Sequence, residues 1–342
     1  MLKIAHVGCG GMSAAWLDAL KGQADIELVA LIDLRLESAQ AARDRYAPAA
    51  FAGTDFDAFI KENAVDAVFN CTIPEAHFPV TMAALQRGCH VLTEKPLANT
   101  LSEAQQMIQT AQQNERILSV IQNRRYQRSI RFIRNCIESG KIGEVSELAA
   151  DYYMGPRFGG FREEMDSPLL LDMAIHHFDM ARFLAGGNPR TVFCHEWNPP
   201  QSWYRTGGSA HALFQFENGL VFNYRGSWCT NGAPTSWNAA WRIVGRKGSI
   251  IWDGDDRVRI EVVEKASGFM PKARIRKPKI PAAPNHESGH ASLIREFIDC
   301  IRCGRQPETY AGDNIHSLAM VFKAIESSRK GRMLKVHFRP DK

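Results

Sequence analysis

The chain has 342 residues, 45% hydrophobic and 23% charged, with a formal net charge of +5. The length favours about two domains, and the apolar runs all stop well short of the roughly 20 residues a membrane helix needs, which argues against a membrane protein. The modest charge is densest in the short run KARIRKPK at Lys272 to Lys279, broken by Pro278; it reads as a solvated loop or edge strand and argues against a nucleic-acid partner.

The N-terminus, MLKIAHVGCGG, enters an apolar strand at once, without the charged region, apolar stretch and cleavage site of a secretory signal, so the expected location is the cytoplasm. Short Val- and Ile-rich runs then alternate with amphipathic ones: KIAHV and SAAWLDALKG, IELVALI and LESAQAARDRY, VDAVFN and HFPVTMAALQRG, HVLTE and SEAQQMIQTAQQ, and last ILSVI. That alternation predicts βαβ units and a parallel sheet covered on both faces.

The first strand runs into Gly8-Cys9-Gly10-Gly11-Met12-Ser13, which opens a helix. In a dinucleotide site the first glycine makes the tight turn, the second lets backbone reach the pyrophosphate, and the helix start supplies amides. Gly8 and Gly10 fit those roles, Gly11 and Met12 complete the cofactor loop, and Ser13 stands at the third glycine position, where a small residue suffices. Asp33 ends the second strand 25 residues after Gly8, where its carboxylate can accept from ribose hydroxyls and repel a 2′-phosphate. NAD is therefore expected over NADP, although Arg35 could still tolerate that phosphate; the alternative is that Asp33 merely caps the next helix. After HVLT comes Glu94-Lys95-Pro96, which places Lys95 at the cofactor crevice or, on the bland reading, in a surface turn.

From about residue 144 the texture changes to ELAADYYM, TVFCHEW, SAHALFQFE, LVFNYRGSWC, NAAWRIVG, SIIWDG and RVRIEVVE, mostly without helices between them. Turn signals separate neighbours, which predicts a large, open, mostly antiparallel sheet. The expected fold is an α/β Rossmann domain over residues 1–122, followed by an α+β domain over 123–342. Between the first two of these strands, LLLDMAIHHFDMARFLAGG reads as a helix ended by Gly186 and Gly187. Asp172 and His176, four apart on one face, suit an aspartate that steadies a general base, whereas His177 points about 100° away and suits packing.

HESGH at His286 to His290 fits the zinc-protease pattern H-E-x-x-H, but Pro281, Pro284 and Gly289 deny it a formed helix and no third ligand follows, so no metal is expected. Asn285 or Ser288 is expected to cap the helix that begins there. The eight cysteines are scattered and read as reduced packing residues, including Cys300-x-x-Cys303, which has no second pair.

The glycine loop, the strand-ending Asp33, CTIPEAHFPVTMAALQRGCHVLTEKPLA, Asn123-Arg124-Arg125-Tyr126 and the closing IREFIDCIRCGRQPETYAGDNIHSLAMVFKAIESS together resemble the Gfo/Idh/MocA oxidoreductases, over nearly the whole chain. The resemblance implies that Lys95 lies beside the substrate at the nicotinamide, that Thr72, Ile73, Pro74 and His77 form the loop passing the cofactor, and that Glu94 lies next to the nicotinamide ribose. It carries the Asp and His of D-x-x-x-H-x-x-D onto Asp172 and His176, and it suggests Asn123, Arg124 and the cleft-edge His286 for substrate contact; Tyr152 and Arg157, which precede the catalytic helix, could line the same pocket. One departure is Asp166-Ser167-Pro168-Leu169 where many relatives carry a glycine pair, which bears on the pocket wall.

The expected activity is hydride transfer between a secondary alcohol of a sugar or inositol and NAD, with His176 taking the hydroxyl proton and Lys95 on the same oxygen. Six tryptophans in the second domain could stack on a sugar, though sheet core is the plainer role. The alternatives are a cofactor-binding regulator, against which Lys95, Asp172 and His176 argue, and glycoside cleavage through a transient ketone without net redox. The open sheet face predicts a homodimer or homotetramer.

Overall fold

The computed structural model describes all residues except 22, 24, 266–268, 283–288 and 337–342. They form two compact units, one made of the described residues within 1–123 and 287–315, the other of those within 124–286 and 316–341.

The first unit begins with β1 (Leu2–Val7), α1 (Ser13–Asp18), β2 (Ile26–Ile32), α2 (Leu36–Tyr46), β3 (Phe51–Gly53), α3 (Phe56–Glu62), β4 (Ala67–Asn70), α4 (Pro74–Gln86), β5 (His90–Thr93), α5 (Leu101–Gln113) and β6 (Leu118–Val120). The six strands pair in parallel in the order β3-β2-β1-β4-β5-β6, the doubly wound order in which the chain reverses direction across the sheet between β1 and β4. Central strands are apolar without alternation because helices cover both faces: Ile4, Ala5, Val68, Phe69, Val91 and Leu92 are all fully buried. Helix starts follow local chemistry. Asp55 accepts from the Ala58 amide to begin α3, and Thr100 with Glu103 forms a capping box on α5. The strand β3 and helix α3 were absent from the sequence reading: three residues with Phe51 half exposed give no period to detect.

After a 3-10 turn at Asn123–Tyr126 come α6 (Arg128–Glu138), β7 (Val145–Tyr153), the short α7 (Phe161–Glu164), a π-helix at Leu169–Ala174, α8 (Ile175–Ala185), β8 (Pro189–Trp197), β9 (Ser209–Phe216), β10 (Val221–Ser227), β11 (Ala240–Gly245), β12 (Gly248–Trp252), β13 (Val258–Lys265) and β14 (Lys272–Arg276). The last elements are α9 (His290–Cys303), α10 (Ala311–Lys330) and β15 (Leu334–Lys335). Nine strands form one open sheet in the order β14-β13-β12-β11-β7-β10-β9-β8-β15, antiparallel except for the pair β7 and β10. One face is the core of this unit. Tyr152, Phe214, Phe222 and Tyr224 are buried there, and Phe178 of α8 meets Phe214 edge-on at 4.8 Å. The other face keeps Phe193 and Leu213 partly exposed beside the bidentate Arg225–Asp151 pair and forms a broad concavity of about 1300 Å³.

Two local expectations are corrected and one is met. The segment read as one helix from Leu169 is a π-helix that gives way to α8 at Ile175, closed by Gly186 in the left-handed region. As expected, the basic run forms an exposed edge strand, β14, over Lys272–Arg276. Asn285 and Ser288 lie outside the described residues, and the N-cap of α9 is Gly289. No helix among the described residues is long and apolar enough to cross a membrane.

Candidate active site

In the first unit three loops leave the C-terminal edge of the parallel sheet, after β1, β4 and β5. Gly8 has φ +95°, and a Cβ there would meet the Cys71 carbonyl oxygen at 2.4 Å, so only glycine permits this approach of two loops. At Gly10 and Gly11 an added Cβ would meet nothing within 4 Å; both are exposed, as is Met12, which precedes α1. Asp33 accepts from the amides of Cys9 at 2.8 Å and Arg35 at 2.9 Å. The N-cap of α2 is Arg35, so Asp33 does not cap that helix; its carboxylate is anchored at the mouth of the glycine loop instead. Beneath the loop the fully buried His6 sets Nε2 3.0 Å from the Gly8 carbonyl oxygen and 2.8 Å from Ser13 Oγ. Burial lowers its pKa to about 4, so the ring stays neutral near pH 7.

The loop after β4 is tied down from within. Asn70 donates to the His77 carbonyl oxygen and to Thr81 Oγ1, each at 3.1 Å, and accepts from the Thr72 hydroxyl at 2.6 Å. Ile73 is 53% exposed, and Pro74 opens α4. The His77 ring is buried between the carbonyl oxygens of Pro96, 2.7 Å from Nδ1, and Thr72, 3.1 Å from Nε2. It thereby joins this loop to the Glu94-Lys95-Pro96 turn. Glu94 accepts from Trp16 Nε1 at 3.0 Å and from the Lys95 amide at 3.1 Å, which fastens the same turn to α1. Lys95 is half-buried, and Asn123 Nδ2 lies 3.0 Å from His290 Nδ1.

In the second unit Asp172 sits in the π-helix and the buried His176 near the start of α8. A π turn is wider than an α turn, so a spacing of four does not stack these side chains as a regular helix would. Asp172 Oδ2 accepts from Arg162 Nε at 2.8 Å, and the Arg162 guanidinium packs over Phe161 at 4.7 Å and Phe158 at 5.1 Å. His177 is fully buried, with Nε2 3.1 Å from the Trp237 carbonyl oxygen and Nδ1 3.3 Å from the Tyr224 hydroxyl; burial pulls its pKa to about 3. Asp179 receives both Arg125 nitrogens at 2.6 Å and the Ser317 hydroxyl at 2.7 Å, a buried structural ion pair. Arg124 donates from Nη1 to Asn238 Oδ1, Arg157 lies 4.0 Å over the Trp203 ring, and Tyr152 is buried, with its pKa raised by that burial. His286 lies outside the described residues. Among the described residues no group of three or more His, Cys, Asp or Glu could hold a metal ion.

Sequence reasoning missed Trp16 as the partner of Glu94, the His6–Ser13 contact and the Arg162–Asp172 pair. Only contacts made in the fold reveal the first and the last, since Trp16 and Glu94 are 78 residues apart and the four-residue α7 that carries Arg162 is too short to show a period.

A family model described as "Oxidoreductase family, NAD-binding Rossmann fold" (GFO_IDH_MocA) matches residues 2–122, and the GFO/IDH/MocA C-terminal domain matches residues 130–251. Among curated proteins, D-apiose dehydrogenase of Paraburkholderia graminis is 26% identical over 98% of this chain and 89% of its own length. Inositol 2-dehydrogenase of Salmonella typhimurium is 30% identical over 56% of each chain. Among solved structures, an oxidoreductase from Agrobacterium radiobacter in complex with NAD+, L-tartaric acid and magnesium shares the fold, with a TM-score of 0.87 at 22% identity over 98% of both chains. The residues present fit a dinucleotide: the space beside Gly10 and Gly11 is open for a pyrophosphate, and the Asp33 carboxylate is preset to accept from ribose hydroxyls.

Proposed function

Because the chain belongs to the GFO/IDH/MocA oxidoreductase family, with an NAD-binding Rossmann domain, we propose that it is an NAD-dependent dehydrogenase acting on a secondary alcohol of a sugar, sugar derivative or inositol. The observation that carries this reading is the fastened Glu94-Lys95-Pro96 turn, held by Trp16 and His77 at the strand edge where a Rossmann sheet receives its cofactor. The names of D-apiose dehydrogenase, inositol 2-dehydrogenase and the D-glucoside 3-dehydrogenase of Escherichia coli support a carbohydrate or cyclitol substrate.

Bound NAD supplies the hydride acceptor. The Lys95 ammonium hydrogen-bonds the reacting oxygen and steadies the charge that develops there, while His176 takes the hydroxyl proton and Asp172 supports the resulting imidazolium. Gly8, Gly10, Gly11 and Met12 receive the pyrophosphate, and Thr72, Ile73, Pro74, His77 and Glu94 border the nicotinamide half. Asp33 selects NAD over NADP. The concave outer sheet face, with Phe193 and Leu213 exposed on it, is assigned to a second copy of the chain.

Lys95→Ala should lower turnover by about 10²-fold to 10⁴-fold, the usual contribution of a positioned acid or base, and leave NADH affinity unchanged. The check is NADH formation with a panel of polyols and aldoses beside a fluorescence titration with NADH. Full turnover by the variant would remove Lys95 from the reaction.

A further inference from the structure

Ser167 stands just before the turn that carries Asp172, and its backbone is left-handed, with φ at +52° in a residue only 3% exposed. A residue with a Cβ rarely enters that region, and the Pro168 that follows narrows its choices further. Such a conformation persists only where the surroundings hold it. It matters here because the Ser167 carbonyl oxygen accepts from the Leu171 amide at 3.0 Å, at the start of the π-helix in which Asp172 sits.

What holds Ser167 comes from another element. Glu196 of β8 accepts from the Ser167 hydroxyl through Oε2 at 2.8 Å, and its own backbone amide donates to Ser328 Oγ of α10 at 2.8 Å, which fixes the strand end. Oε1 is buried with no partner among the described residues, so the carboxylate is committed to Ser167. Withdrawing it from water for one hydroxyl is unfavourable in itself: burial raises the Glu196 pKa and Asp166 adds to the rise, against the Ser167 hydrogen bond and the Arg329 charge. Gly207, at φ +56°, closes over the pair, and an added Cβ there would meet Glu196 Oε1 at 2.6 Å and the Ser167 Cα at 2.8 Å. The loop between β8 and β9 also ties down the stretch before Ser167. Arg205 donates from its amide to the Glu163 carbonyl oxygen at 2.9 Å, from Nε to that of Glu164 at 3.0 Å and from Nη2 to Asp166 at 2.9 Å. Thr206 Oγ1 accepts from the Ser167 amide at 3.4 Å. A backbone conformation that the local sequence disfavours is thus imposed by a strand and loop some 30 to 40 residues downstream, as the separations of 29 and 39 residues show.

We propose that Glu196 is a positioning residue for the reaction: by holding Ser167 in the left-handed conformation it seats the π-helix and so sets where Asp172 stands. Without that acceptor Ser167 relaxes to a negative φ, its carbonyl turns away from the Leu171 amide, and Asp172 shifts with the turn. The inference rests on the reading that Asp172 supports the base, and it adds a residue on a separate strand that acts through Ser167.

The test compares Glu196→Ala with the double variant Glu196→Ala/Ser167→Gly. Glycine adopts a positive φ unaided, so the second change should undo the first, whereas it cannot fill a packing defect left at position 196. Hydrogen exchange read by mass spectrometry should show the segment 167–174 opening about tenfold faster in Glu196→Ala, with β9 and β10 as protected as in the parent, and protection restored in the double variant. Parental exchange in Glu196→Ala, loss of protection throughout the sheet, or a double variant as open as the single one would overturn the proposal. Kinetics supply the second arm. With the polyol on which the parent is most active, Glu196→Ala should lower kcat about tenfold at an unchanged KM for NAD, and the double variant should recover it. A single variant with parental kcat, or a double variant that stays slow, would overturn it. A parent that turns over no polyol would defeat the dehydrogenase reading instead, and the exchange arm would still decide whether Glu196 holds the turn.

Discussion

The proposed preference for NAD over NADP turns on a single carboxylate, Asp33. Two backbone amides hold it, so it meets a nucleotide already oriented and ready to accept. A ribose 2′-hydroxyl can donate to it, whereas a 2′-phosphate brings like charge. The parent should therefore bind NADH more tightly than NADPH, and Asp33→Ser should narrow that preference by about tenfold, or ~1.4 kcal/mol, in paired fluorescence titrations. A parent that prefers NADPH would transfer the specificity role to Arg35. Asp33 and the glycine loop were legible in the sequence because strand, tight turn and helix follow one another locally. The Trp16–Glu94 bond was not, since it depends on how β1 and β5 come to lie in the sheet. The Ser13 position was only half read: smallness was expected there, but its contact with the buried His6 was not.

At the scale of the element, α8 is pinned by the Arg125–Asp179 pair, which is buried on both sides. Removing one member strands the other charge away from water, which typically costs 3–5 kcal/mol. Arg125→Met should accordingly lower the melting temperature by roughly 10 °C, read by circular dichroism. A shift of under 2 °C would mean that Asp179 and Ser317 hold the helix without the arginine. The same stretch shows the limit of periodicity. The sequence announced a helix from Leu169 to Ala185 and its glycine stop, both of which stand, but the change from π to α winding leaves no mark in an apolar stripe. The short β3 was hidden for the opposite reason, having too few residues to show a period. The long strands of the nine-stranded sheet alternate clearly between buried and exposed positions, and these were read without the fold.

For the molecule as a whole, acid is the weak side. His6, with a pKa lowered to about 4, and His177, lowered to about 3, are neutral when folded but take up protons near pH 6.5 once unfolded. Their contribution is fully present above pH 6.5 and is lost as pH falls towards the folded values; His77 and His90 are shifted in the same direction. Glu196, raised by burial, has the reverse sign, its contribution fading as pH climbs above the ordinary carboxylate range. Melting temperature should hold between pH 7 and 8 and decline below about pH 6.5. At pH 5.5 each of His6 and His177 accounts for a loss on the order of 1 kcal/mol. A flat profile from pH 7.5 to 5.5 would show that these rings are charged in the fold.

The helix α9 belongs to the first unit, where it packs on α1 and sets Phe297 6.0 Å from Phe69, yet it is encoded far downstream of β6. On a translating ribosome, β6, ending at Val120, emerges about 170 residues before α9, which begins at His290 and covers Phe69 from that side, a wait of roughly 10 to 30 s at ~5–20 residues per second. During that interval the nascent parallel sheet presents an uncovered aromatic surface, so the nucleotide-binding unit is completed only after most of the nine-stranded sheet has been made, and whatever shields the growing chain must act before either unit can.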